Sequence, residues 1–225
     1  MTFRSLTLLF PSLAVLVGAT ACQKPTPDQQ QAQTENDLSS TSASGCGTER
    51  WAIKTGTDPL AASVTAIPTD TTIATLVGYP VPTPAPSTTR VAPQETTRWR
   101  LVNVTLTGYK SESDSDFHLV ISDGQRTMIA EIPAPSCVSG GPFAADIATA
   151  RAVFLAKHAP GSFTSASDVV TLTGVGFFDR PHGQTGVAPN AIELHPVLHI
   201  CFGTDCDSAG PAPRDAGRDS SPRMP

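Results

Sequence analysis

The chain has 225 residues, of which 39% are hydrophobic and only 16% charged, with a formal net charge of −5. Sparse, net-negative charge leaves no broad basic face for phosphate neutralisation, which argues against duplex nucleic acid as a partner. The 21 prolines and 17 glycines suit a turn-rich β protein.

In the first segment, Arg4 precedes a mainly apolar run from Leu6 to Val17, interrupted by Pro11. A bilayer span needs about 20 apolar residues, so residues 1–21 are predicted to be a cleaved signal segment. The ending Ala19-Thr20-Ala21-Cys22 resembles a bacterial lipobox, in which the cysteine is acylated. The membrane would then be a partner through Cys22, with each buried CH2 contributing about 0.8 kcal/mol. An ordinary secretory signal that leaves Cys22 a free thiol is the other reading. Gln23 after the cysteine resembles an outer-membrane sorting signal. The expected location is the cell envelope, at the periplasmic face of the outer membrane or the cell surface. Residues 22–45 are rich in Gln, Ser and Thr with a single Leu, and read as a flexible tether. Residues 203–225 read as a disordered tail. Residues 46–202 are left as one domain of ordinary size.

Within that domain, residues 49–55 (ERWAIKT) and 71–79 (TTIATLVGY) read as two strands of an N-terminal β extension. Residues 79–94 carry five prolines and read as an extended surface loop. A long β-rich run follows, with Trp99, Leu101, Val102, Val104 and Leu106 marking a bulge. In DSDFHLVIS, Phe117, Leu119 and Ile121 point one way and His118 and Val120 the other. Asp123-Gly124 signals a turn, and Met128, Ala130 and Ile132 alternate on the return. Pairing Ser122 with Thr127 or Gln125 sets His118 beside Glu131, directly or diagonally, on the face away from those apolar residues.

Phe143, Ile147, Ala150, Val153 and Phe154 recur at helical spacing before a stop at Pro160-Gly161. The runs DVVTLTGVGFFD and AIELHPVLHICF close the series as strands. From Thr97 the order is strand, strand, strand, helix, strand, strand, which is the order of an OB-fold. The expected fold class is therefore mainly β, an OB-fold-like β-barrel with one helix and an N-terminal β extension. Another α+β domain of similar order is the alternative.

Cys46, Cys137, Cys201 and Cys206 form an even set in an exported chain, which suggests two disulfides among three connectivities. Cys201 with Cys206 would close a small loop, and Cys46 would pair with Cys137. A zinc site is the competing reading, although no C-x-x-C pair is present.

The stretches DSDFHLVI at 114–121, TGVGFFD at 173–179, His182-Gly183 and IELHPV at 192–197 resemble a family of exported bacterial OB-like proteins. An acidic-x-acidic-aromatic-His stretch and a late His-Gly…Glu-x-His-Pro stretch recur there. The resemblance covers residues 49–202 and implies the barrel. The family has no established activity, so it assigns no function. This chain carries a longer insert, QTGVAPNAI, between Gly183 and Glu193.

The candidate ligand or metal residues are His118, Glu131, His182, Asn190, Glu193 and His195. Glu193 and His195 share a strand face, which Val197 and His199 would continue, and His182 lies in the preceding loop. Three imidazoles with a carboxylate could hold a divalent metal, although no zinc signature matches the spacing. Asp114 and Asp116 are weak Ca2+ candidates, and Trp51, Trp99, Phe177 and Phe178 fit the core as well as a stacking surface. His158, at the helix end, suits the dipole there. Three readings of the cluster stand: a structural polar network, a ligand or metal site, and a catalytic site. No catalytic residue is identified and no cofactor established. The expected function is a non-enzymatic OB-like module of the envelope that binds an envelope protein or a small ligand; the alternative is a metal-dependent hydrolase.

Overall fold

The computed structural model describes residues 45–206 apart from 84, 86 and 87. The expected signal segment, Cys22, all but the last residue of the tether and most of the tail lie outside the described residues. In chain order the elements are α1 (Trp51–Thr55), β1 (Thr69–Thr71), α2 (Ile73–Val77), β2 (Arg98–Ser111), β3 (Phe117–Ser122), β4 (Thr127–Ile132), α3 (Ala144–Leu155), β5 (Thr164–Phe178) and β6 (Ile192–Phe202). The protein is mainly β.

The N-terminal β extension is corrected. Residues 51–55 form α1, and residues 73–77 form α2, capped by the Thr72 hydroxyl, which accepts from the Thr75 amide. Only Thr69–Thr71 is extended, pairing parallel to β2 from Thr69 opposite Trp99. Short apolar runs look alike as strand or helix. The cap at Thr72 and the Gly residues after both turns decide for helix here.

From β2 onward the expected order holds. β2, β3 and β4 form an antiparallel meander, β4 runs parallel to β6, and β6 is antiparallel to β5. β5 returns to pair antiparallel with β2, so the circuit of ladders closes on itself. The bulge expected in β2 lies between Leu101 and Val104, where Asn103 adopts φ 53°. Leu101, Leu106, Leu119, Ile121, Met128, Ala130 and Leu194 point into the main core. α3 covers it with Ala150 and Phe154, while Val153 stays exposed.

β3 is buried on both faces. Its second face, His118 and Val120, is covered by the 180–190 loop. Gly186 sits at φ +87° with its Cα against Val120, so that a Cβ would collide with the Val120 side chain. The N-terminal segment packs nearby. Cys46–Cys137, spanning 91 residues, ties it to the end of β4, and Cys201–Cys206 closes the end of β6. The expected pairings are both present, and the zinc reading of the cysteines falls. Buried Arg90 pairs with Asp58, and Arg50 donates to both oxygens of Glu95, fixing the segment to the loop before β2.

Candidate functional site

Strand registers assemble the polar cluster. Ser122 pairs with Thr127, which sets His118 directly opposite Glu131. The parallel ladder then sets Ile129 beside Glu193 and Ala130 beside Leu194, bringing His195 alongside Glu131. β6 pairs with β5 at Leu194 and again at Val197, so His195 and Pro196 form an irregularity in the ladder. This break changes the phase of the strand. Val197 joins the main core and His199 is exposed, so neither continues the Glu193/His195 face as the simple alternation predicted.

His118 Nδ1 lies 3.0 Å from Glu131 Oε1, and its Nε2–H donates to the Thr185 carbonyl at 2.9 Å. Both ring nitrogens face oxygen acceptors, an arrangement that suits imidazolium beside an ionised Glu131. His195 Nδ1 lies 3.0 Å from Glu131 Oε2 and 3.1 Å from Glu193 Oε1. Its Nε2 lies 3.2 Å from Asp116 Oδ2. That contact has ion-pair distance without hydrogen-bond geometry, and neither Asp116 oxygen accepts a hydrogen bond. The side chains of Asp116, His118 and His195 are 0% exposed.

Charge interactions follow from the burial. Burial and the charges of Asp179 and Glu131 push the Glu193 carboxyl up to about 8. Burial, with Asp116 and Glu131 nearby, pushes Asp114 up to about 6, and burial also raises Asp116. Burial alone would raise Glu131, but the hydrogen bonds from His118 and His195 hold it well below the carboxylate range. Burial alone would lower His118, His195 and Lys54. The carboxylates facing each of them outweigh it and keep all three protonated more strongly than usual.

Of the six candidates, the fold unites His118, Glu131, Glu193 and His195. His182 stays on the surface, its Nδ1 2.9 Å from the Arg180 carbonyl and 4.0 Å from Asp179. Asn190 is buried elsewhere, where its Nδ2 donates to the Leu76 and Tyr79 carbonyls and fastens the loop to α2. His158 packs against Tyr109, Phe154 and Phe202, also outside the cluster. Asp116, weighed in the sequence only for Ca2+, proves central. Lys54 and Trp51 were hidden by reading 49–55 as a strand. On α1 they stand three residues apart, Lys54 near Asp179 at 3.4 Å and Trp51 edge-on to His195 with centroids 6.5 Å apart.

Among the described residues, two groups could hold a metal ion, Glu112/His118/Glu131 and Asp116/Glu131/His195, each with donor atoms within 4.8 Å of one another. A separate cleft of about 150 Å³ opens between Arg50, Val81, Arg180 and Pro189 and includes none of the four clustered residues.

No family model and no curated protein matches the chain. Among solved structures it is similar to a chain described as a "putative aspartyl-tRNA synthetase from Leishmania major Friedlin", at 13% identity and a TM-score of 0.38. The similarity covers 78% of this chain and 26% of that one, so the chain spans about a quarter of that protein's length. At this level the likeness identifies neither fold nor activity.

Proposed function

We propose that the protein is a lipid-anchored module of the bacterial envelope whose OB-like barrel binds a protein partner and performs no chemistry. The observation that carries the non-catalytic reading is the sealing of the polar cluster. His118, His195 and Asp116 have no exposed side-chain surface, while the 180–190 loop and α1 lie over them. A hydrolase needs a substrate within hydrogen-bond reach of its acid and base, and none of His118, Glu131, Glu193 and His195 lines the cleft. His182, required by the hydrolase alternative, points to solvent.

The OB-like reading is supported by the meander, the helix before the fourth barrel strand, the parallel pairing of the third strand with the fifth, and the closing ladder. A protein partner is favoured over a small ligand because ligand pockets usually reach about 300–1,000 Å³, and the cleft described here is smaller. Anchoring rests on the lipobox resemblance at Cys22. Among the described residues no helix is long and apolar enough to cross a membrane.

Two measurements test the proposal. Cys22→Ser should move the protein from the membrane fraction to the soluble fraction; unchanged membrane retention refutes the anchor. Deuterium exchange at the imidazole carbons should be fast at His182 and slow at His118 and His195. Equal rates would mean an accessible cluster and would overturn the non-catalytic reading.

A further inference from the structure

Where Asp116 meets His195, three polar atoms lack hydrogen bonds. They are His195 Nε2, Asp116 Oδ1 and Asp116 Oδ2, all on side chains with no exposure. Buried polar atoms are almost always bonded, and those that are not call for an explanation. The 3.2 Å between His195 Nε2 and Asp116 Oδ2 is the separation of two ligands that share an ion at about 2.0–2.2 Å.

The other side of the His195 ring is already arranged for ligation. Metal-bound histidine typically donates its second N–H to a carboxylate, which turns the free lone pair outward. Here Nδ1 faces two carboxylates, Glu131 at 3.0 Å and Glu193 at 3.1 Å. One suffices to hold the Nδ1 proton. Glu193 can keep it, and Glu131, which groups with Asp116 and His195 as a possible ion-holding set, is then available as a third donor. His118 is excluded as a ligand because both its nitrogens are engaged.

Charge balance points the same way. Five carboxyl groups gather here, Asp114, Asp116, Glu131, Asp179 and Glu193, against Lys54, His118 and His195. Ligation displaces the second His195 proton, so with the other groups ionised the carboxylates exceed Lys54 and His118 by three negative charges, of which one divalent cation offsets two. One imidazole with two carboxylates suits a borderline ion. Ca2+ takes six to eight oxygens, and the set of Asp116, Glu131 and His195 supplies at most four.

We propose that Asp116, Glu131 and His195 form a buried site for one divalent transition-metal ion of the zinc class. The ion ties the 112–116 turn to β4 and β6. It enters from that turn, where Glu112 and Asp114 remain partly exposed. The site is structural and stands independently of the envelope reading, which membrane fractionation tests separately.

The test uses the full mature chain without a histidine tag, stripped with chelator and titrated with Zn2+ alone. Calorimetry and Trp fluorescence should report one equivalent, since Trp51 touches the His195 ring. Asp116→Asn should weaken binding by roughly 100-fold, and His182→Ala should leave it unchanged. X-ray absorption of the wild-type zinc complex should show a nitrogen and oxygen shell with one imidazole, a measurement that needs no variant to fold. Absence of stoichiometric binding, loss of binding in His182→Ala, undiminished affinity in Asp116→Asn, a shell with several imidazoles, or displacement of Zn2+ by equimolar Ca2+ would each overturn the proposal.

Discussion

Glu131→Gln, in the metal-free chain, is the substitution that best separates a satisfied polar centre from a decorative one. Glu131 lies 3.0 Å from both His118 Nδ1 and His195 Nδ1. Glutamine preserves volume and one acceptor oxygen, so no cavity forms and the loss is one of charge. Removing one partner of a buried ion pair costs about 3–5 kcal/mol, because the other charge stays buried without compensation. Glu193 and Asp116 still face His195, and Glu112 lies 3.5 Å from His118, which places the expected cost in the lower half of that range. At about 2–4 °C per kcal/mol for a domain of this size, Tm should fall by roughly 6–16 °C. A thermal scan measures the Tm, and urea denaturation followed by circular dichroism measures the free-energy loss, with an unchanged m-value confirming the same unfolding transition. Adding His118→Gln should restore part of the loss, since it deletes one stranded cation. A Glu131→Gln protein within about 0.5 kcal/mol of wild type, the range of ordinary surface changes, would refute the ionic assignment.

The two disulfides should differ in value. Replacing Cys46 and Cys137 together by Ser opens a crosslink spanning 91 residues and should cost about 4–5 kcal/mol. The same change at Cys201 and Cys206, only five apart, should cost about 2 kcal/mol; equal losses by chemical denaturation would contradict this. Asn190→Leu leaves two carbonyls without their donor and should destabilise by about 2–4 kcal/mol, and a neutral midpoint would show that Asn190 is no strut. Gly186→Ala should strain a positive-φ residue and push against Val120, costing about 1–3 kcal/mol. It should also speed imidazole exchange at His118, whose Nε2 is held by Thr185; an unchanged rate would mean the loop does not seal that face.

Much of the architecture was legible because local periodicity carried it. The alternations in 117–122 and 127–132, joined by Asp123-Gly124, leave two registers, both of which bring His118 and Glu131 together. The structure takes the one with Ser122 opposite Thr127, which sets His118 directly opposite Glu131. The 3.6-residue spacing of Ile147, Ala150 and Phe154 likewise specifies α3. ERWAIKT misled because five residues are too few to tell period 2 from period 3.6. Its helical form depends on the Arg50 turn, held by Glu95 from 45 residues away.

The sequence by itself determined the strand order from β2 onward, the hairpin pairing and the cysteine partners' availability, since these follow from patterns within a few residues. Tertiary structure decided which other polar residues join the His118–Glu131 pair. Asp116, Glu131 and His195 lie on three separate segments, and only the parallel β4–β6 ladder and the packing of the 112–116 turn bring them together. His182, as prominent in the sequence as His195, is left at the surface because its loop holds the ring on Arg180. Burial and register act between distant segments, and no local spacing encodes their result.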